Sequence, residues 1–204
     1  MPDTVTAKNS DVKFTPHPED QFVAQCVDCI NLGDKVEDYP GKPKKLTPKC
    51  ALVFRTGAKN AETGKLIDVS REFTVSMGEL ANLRKFLESW RGKAYTDEQI
   101  DAGIPLDKLV GNWALITVEH KKSGKGRTYA IINSIVSVPK MMTDRPSFPA
   151  YARDEFWAER KKEYAKDATA LRAEFGVNEE GDPLPQDSTD FADDTHEGDD
   201  DLPF

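Results

Sequence analysis

From Gln21 to Leu32 apolar and polar residues alternate, with Phe22, Ala24 and Cys26 on one face; the alternation breaks at Asp28 and resumes at Ile30 and Leu32. A two-residue period marks a half-buried strand, and a break inside one run has as one explanation a single long strand bent sharply near its middle. Residues 33–45, with Pro40, Gly41, Pro43 and several lysines, predict a loop. Lys49–Arg55 (KCALVFR) predicts a second strand, with Cys50, Leu52 and Phe54 on one side. Residues 56–65, with Gly57 and Gly64, predict a hairpin connection, and Leu66–Val75 a third strand with Val69, Phe73 and Val75 on one face.

The period then changes. Ser76 and Glu79 fit a capping box, Leu80, Leu83, Leu87 and Trp90 make one helical stripe, and Gly92 predicts its stop. Thr96 predicts the cap of a second short helical piece anchored by Leu106 and Leu109. Strands resume at Trp113–Glu119, turn through Lys121–Gly126 (KKSGKG) and continue over Thr128–Val138. In that last run Tyr129, Ile131 and Ile135 alternate with Ala130, Ile132 and Val136, so both faces are apolar and a buried strand is expected. Three strands, a helix and a hairpin is the order of the five-stranded OB barrel, a mainly-β fold whose helix lies between strands 3 and 4 and closes one end.

Residues 139–149 predict a proline-containing linker. Residues 150–175 predict a charged helix with Trp157, Tyr164 and Leu171 spaced by seven, a narrow stripe suited to lying against the barrel or pairing with a second copy of the chain. From Val177 onward apolar periodicity ceases and a disordered acidic tail is expected. The expected layout is an arm over 1–18, the barrel over 19–140, linker and helix over 141–176 and the tail over 177–204.

Charge changes this picture, because the formal net charge of -8 is unevenly placed. Residues 177–204 hold eleven Asp and Glu and no Lys or Arg, so the preceding residues carry all 28 basic side chains against 25 acidic ones. Between Pro40 and Ala130 the balance is 17 basic to 10 acidic. A basic body with an acidic tail suits a polyanionic ligand better than the average charge does.

The last six residues read DDDLPF: Asp199, Asp200, Asp201, Leu202, Pro203 and Phe204. This run resembles the C-terminal peptide of bacterial single-stranded DNA-binding proteins, where acidic residues precede Ile-Pro-Phe; Leu202 stands in the isoleucine position. The arrangement as a whole is also similar to that of bacteriophage single-strand binders. The resemblance implies that Phe204 enters an apolar pocket on partner enzymes, that its carboxylate meets a basic side chain, and that Asp199, Asp200 and Asp201 meet a basic rim. An aromatic anchor supplies buried area, flanking charge raises the encounter rate, and Pro203 limits the freedom lost on binding. The implied function is coating and protecting single-stranded DNA in replication, recombination or repair while recruiting enzymes of those processes. The tail, on its tether, would also compete with DNA for a basic groove.

Binding a single strand without sequence preference needs cations to track phosphates and aromatic faces for bases. The loop after the first strand offers Lys35, Lys42, Lys44 and Lys45 beside Tyr39; the loop between the fourth and fifth offers Lys121, Lys122, Lys125 and Arg127. Arg55 and Arg71 fall on strands two and three, the expected floor of the groove. Phe73 is a candidate stacking face, although its phase favours the core, as does that of Phe54. Tyr39, in a polar loop, is the better platform, and Trp113 and Tyr129 lie nearby.

Cys26 and Cys29 (CVDC) with Cys50 raise a zinc site, but there is no second CxxC and residues three apart on an extended strand face opposite ways. No cofactor and no metal are expected. The sequence contains no phosphate-binding loop, HExxH or GxSxG, and its three histidines are isolated, so no catalytic residues and no enzymatic activity are expected. The competing expectation is an adaptor that holds replication or recombination proteins, carries the same tail and binds little DNA itself. A DNA mimic would need acidic charge on the folded part, where the sequence places basic charge. The absence of a signal peptide and of long apolar runs, together with three unpaired thiols, points to the cytoplasm of a bacterial or phage-infected cell, with no membrane partner.

Overall fold

Residues Asp20–Glu37 form one strand of 18 residues, β1, and its bend is a β-bulge. Facing it is β2, Lys45–Lys59; Cys26 sits opposite Phe54 and Asp28 opposite Val53, which leaves Val27 as the extra residue. A bulge shifts side-chain phase by one, so a strand turns its apolar residues from one face of the sheet to the other. Before Val27, Ala24 and Cys26 point into one core; after it, Ile30 and Leu32 point into a second. A second bulge at Leu32, between Asn31 opposite Cys50 and Gly33 opposite Lys49, places that leucine in the second core too.

The computed structural model describes residues 15–142 and 144–175; the first 14 residues, the expected tail and its DDDLPF tip lie outside the described residues. The remaining elements are β3 (Leu66–Thr74), α1 (Asn82–Arg91), α2 (Asp97–Asp101), a single 3-10 turn at Leu106–Leu109, β4 (Trp113–Lys122), β5 (Thr128–Val136) and α3 (Glu155–Glu174). All five strands are antiparallel neighbours in the order β3-β2-β1-β4-β5. The chain divides into two compact units, Met1–Ala168 and Thr169–Phe204; the whole sheet belongs to the first. Among the described residues no helix is long and apolar enough to cross a membrane.

The fold is mainly β, but the sheet is not closed into a barrel: β3 and β5 are its edges, and no ladder joins them. Helix α1 fills that side. Leu83, Phe86, Leu87 and Trp90, at helical spacing, are buried against Phe54, Phe73, Ile116 and Ile135. The helix is tied to the sheet by Trp90 Nε1 donating to the Trp113 carbonyl (2.9 Å) and Ser89 Oγ donating to that of Ile135 (2.6 Å). At its end Gly92 takes a left-handed φ of 70° and its N–H returns to the Glu88 carbonyl, the stop expected of a glycine.

Four expectations need correcting. The capping box at Ser76 and Glu79 does not form: α1 begins at Asn82 after an Ala81 with no side-chain cap, and Ser76 Oγ instead accepts from the Gly78 N–H. Leu80 precedes the helix and is 84% exposed, while Phe86 takes its place in the stripe. The expected 33–45 loop is shorter, since β1 runs to Glu37 and β2 starts at Lys45. Strand β5 is an edge rather than an interior strand. A bulge at Asn133, between Thr117 opposite Ser134 and Val118 opposite Ile132, brings Ile132 and Ile135 to the core, while Tyr129 and Val136 stay exposed. Thr96 caps α2 as the sequence suggests, and does so in a capping box with Gln99.

The second core lies on the sheet's other face. Trp157 and Tyr164 of α3 are buried there against Ile30, Leu32, Ala51 and Val53, so the part of this helix that belongs to the first unit lies against the sheet, one of the two roles its seven-residue spacing suits. Before β1, the buried His17 fastens the chain: its Nδ1 donates to the Pro18 carbonyl (2.9 Å) and its Nε2 is hydrogen-bonded to the Thr56 hydroxyl (2.6 Å). Burial disfavours the charged ring and lowers the pKa of His17 below the ordinary histidine value.

Two outcomes follow. Deleting Val27 removes the bulge but leaves Asp28 opposite Val53 and Ile30 opposite Ala51, with Ile30 and Leu32 still facing the second core. Urea titration followed by circular dichroism should therefore keep a cooperative transition, and its loss would mean that the bend itself is required. For His17, the unfolded chain takes up its proton first as pH falls below about 6.5, so stability drops through that value until the folded-state pKa is also passed. Thermal melts should therefore lose more between about pH 7.5 and about pH 5.5 in the wild type than in H17Q; equal slopes would assign the acid sensitivity elsewhere.

Candidate nucleic-acid interface

The expected groove floor, the outer face of β2 and β3, is occupied by the chain's own residues. Arg55 is buried, with its Nε and Nη2 donating to the Asp68 carboxylate (2.8 Å each), Nη1 donating to the Pro149 carbonyl (3.0 Å), and the group lying over the Tyr151 ring. The Asp68 hydrogen bonds raise its pKa further. Further along, Arg153 makes a two-armed pair with Asp28, and Tyr164 Oη and Arg160 both reach Glu72. Residues 145–164 thus form a strap and helix across this face.

The strap also takes an aromatic surface. Phe148 stacks on Trp113 with ring centroids 5.8 Å apart, and Arg145 covers the same indole at 5.7 Å. Gly57, with φ of 89°, permits this approach: a Cβ there would come within 3.2 Å of the Phe148 ring. Neither Arg55 nor Trp113 is open to a ligand in this arrangement. Local sequence could not show it, because the partners lie from 13 to more than 90 residues away in the chain.

Phe73 is buried in the first core, as its phase favours, and Phe54 with it. Arg71 is not on the outer floor either. It pairs across to Leu52, whereas Arg55 pairs with Asp68, so the two arginines occupy opposite faces of the sheet. Lys35 is in β1 rather than in a loop, and its ammonium lies 5.7 Å from the Tyr164 ring centroid.

The remaining predicted residues lie on or beside two turns: Tyr39, Lys42, Lys44, Lys125 and Arg127 are outside the strands, whereas Lys45 opens β2 and Lys121 and Lys122 end β4. Tyr39 is 54% exposed, and Lys42, Lys44 and Lys45 are exposed around it; Lys45 pairs with Glu37 at 3.5 Å. On the other turn Lys121, Lys122, Lys125 and Arg127 are all exposed, and none of the four has an ion-pair partner among the described residues. Ser123 organises that turn, its N–H donating to the Arg127 carbonyl and its hydroxyl accepting from the Arg127 N–H. Register places the two turns at opposite ends of β1, one beyond Glu37 and the other beyond Asp20.

The structure also brings together residues that sequence reasoning did not group. An open cavity of about 850 Å³ runs along the β3 edge, lined by Lys35, Lys49, Arg71, Glu72, Phe73 and the segment from Ser76 to Asn82. A second, of about 220 Å³, lies between α1 and β5 and is lined by Arg71, Asn82, Lys85, Ser89, Asn133 and Ser134 among others. Lys49 is bound to Glu37 (2.8 Å) and Thr74 (2.7 Å), which holds the Glu37 carboxyl below the usual range. Val75 and Leu80 are exposed beside the larger cavity. No periodic signal marks this grouping, since it arises where two strand edges fail to pair. No family model, curated protein or solved structure matches the chain.

The three thiols are free, and the bulge corrects the expectation that Cys26 and Cys29 face opposite ways: opposite Phe54 and Leu52, both face the first core. Burial pushes the Cys26 and Cys50 thiols up to about 12 and raises Cys29 as well, so none is poised as a thiolate. Among the described residues no group of three His, Cys, Asp or Glu side chains is placed to hold a metal ion.

Breaking a buried ion pair strands its remaining charge, so R55Q should lower unfolding stability by about 3 kcal/mol in urea titration. A variant as stable as the wild type would mean that Arg55 is not structural and is available for a ligand.

Proposed function

We propose that this protein binds single-stranded DNA through its basic sheet domain and recruits partner enzymes through the sequence Asp199–Phe204. The observation that carries the reading is the β4–β5 turn, where four exposed cations have no ion-pair partner among the described residues. An ordinary protein surface intersperses both signs, whereas a phosphate-tracking surface concentrates one. Tyr39 on the opposite turn adds an exposed ring of the kind on which bases stack, among Lys42, Lys44 and Lys45.

The element order supports an OB-type fold. Three antiparallel strands, a helix and a two-strand hairpin surround one core, with β3 and β5 approaching on the side where an OB barrel closes. In this reading the sheet is an OB barrel left open between those two strands. The tip resemblance points the same way from an independent part of the chain, and Phe204, Leu202 and the three aspartates would carry partner recognition.

One observation favours the adaptor reading. The outer face of β2 and β3 is filled by residues 145–164, so the usual OB groove is not vacant. DNA affinity separates the two. Fluorescence anisotropy of labelled oligo-dT titrated with the full-length chain should rise saturably, weaken with salt and resist competition by duplex. The salt slope should be about -0.7 per phosphate contacted. A flat titration at low salt would leave the adaptor reading.

A further inference from the structure

Arg71 is unlike four other arginines of this chain. Arg55, Arg84, Arg153 and Arg160 each meet a carboxylate: Asp68, Glu88, Asp28 and Glu72 respectively. Arg71 is half-buried and has none among the described residues. One arm donates to the Ile132 carbonyl across the open seam (2.9 Å), and the guanidinium lies 5.3 Å from the centroids of both the Phe73 and Phe86 rings. Desolvation without a counter-charge disfavours the cation, and its pKa is accordingly lowered. A guanidinium has five N–H donors, so one carbonyl leaves most of its capacity unused.

The position of this cation is as informative as its isolation. Arg71 and Asn82 line both cavities, which meet at the seam where β3 and β5 do not pair. The smaller cavity contains two cations, Arg71 and Lys85, no carboxylate, and the neutral polar side chains of Asn82, Ser89, Asn133 and Ser134. The larger adds Lys35 and Lys49 against Glu72 and Glu79; Glu72 is already held by Arg160 and Tyr164, and Lys49 by Glu37 and Thr74. Its volume lies in the range of ligand sites.

We propose that the seam between β3 and β5 is a phosphate-binding site centred on Arg71, with Lys85 as its second cation, which takes a backbone phosphate of the bound single strand. The inference rests on the DNA-binding reading above and relocates part of the contact: with the outer face covered, the strand runs along the β3 edge and over the seam. A fork-shaped donor fits a phosphodiester in two-armed fashion, which a lysine ammonium does not reproduce.

The test compares the full-length wild type with R71Q, R71K and K85Q by anisotropy on oligo-dT over a salt series, with thermal melts as a check on folding. R71Q and K85Q should each bind about ten-fold more weakly at fixed salt. Each should lose about 0.7 from the salt slope, and R71K should recover the slope but not the full affinity. Because Lys85 is exposed, K85Q retains the fold, and it decides the matter if R71Q melts early. Wild-type binding with R71Q and K85Q unchanged in affinity and slope would overturn the seam site while leaving DNA binding standing. No wild-type binding would instead remove the reading on which the site rests. Thymidine monophosphate is the competitor arm: if it displaces oligo-dT at micromolar concentration, a free nucleotide rather than the strand is the occupant, and the proposal fails.

Discussion

The single extra residue at Val27 lets one strand serve two cores, and the rest of the domain is arranged around that. Without a change of phase, β1 would present Ala24, Cys26, Ile30 and Leu32 to one face, leaving the other too polar to bury a helix. With it, the first half of β1 joins β4 over the core that α1 closes, and the second half joins β2 and β3 beneath Trp157 and Tyr164. The cost is one unpaired position in the ladder; the gain is burial on both faces of an 18-residue strand.

This double burial decides what the charges can do. A helix and strap on the outer face need partners for the polar groups they cover, and Arg55–Asp68, Arg153–Asp28 and Arg160–Glu72 supply them. Arg55 in particular becomes structural, because a buried charge is tolerable only when paired, while Arg153 and Arg160 hold the strap and helix from more exposed positions. Cations on and beside the turns stay exposed to solvent. Arg71 belongs to neither group: it lies at the seam left by an unclosed sheet, packed on aromatic rings and bonded to one carbonyl.

Much of the architecture is legible in local pattern. The broken alternation at Asp28, the stop at Gly92, the Thr96 cap and the seven-residue spacing of Trp157 and Tyr164 each correspond to a feature of the fold. The failures have specific causes. Ser76 and Glu79 have capping-box spacing, but the phase that buries Leu83, Phe86, Leu87 and Trp90 starts the helix at Asn82. The apolar run over β5 suggested an interior strand, where a bulge at Asn133 had instead divided its isoleucines between phases. In the candidate interface, exposure of Tyr39 and of the β4–β5 cations followed from their polar surroundings, whereas the fate of Arg55 depended on Asp68, Pro149 and Tyr151.

By itself the sequence determined the order of elements, the bend in the first strand, the segregation of basic body from acidic tail, and the resemblance carried by its last six residues. These are properties of neighbouring residues, expressed through period, turn chemistry and charge, and they do not need a fold to exist. Only the tertiary structure decided that the sheet stays open between β3 and β5, that residues 145–164 cover its outer face, and that Arg55 is bound while Arg71 stands without a carboxylate. Those outcomes depend on which distant segments meet, and a cation's availability is set by what packs against it rather than by its neighbours in the chain.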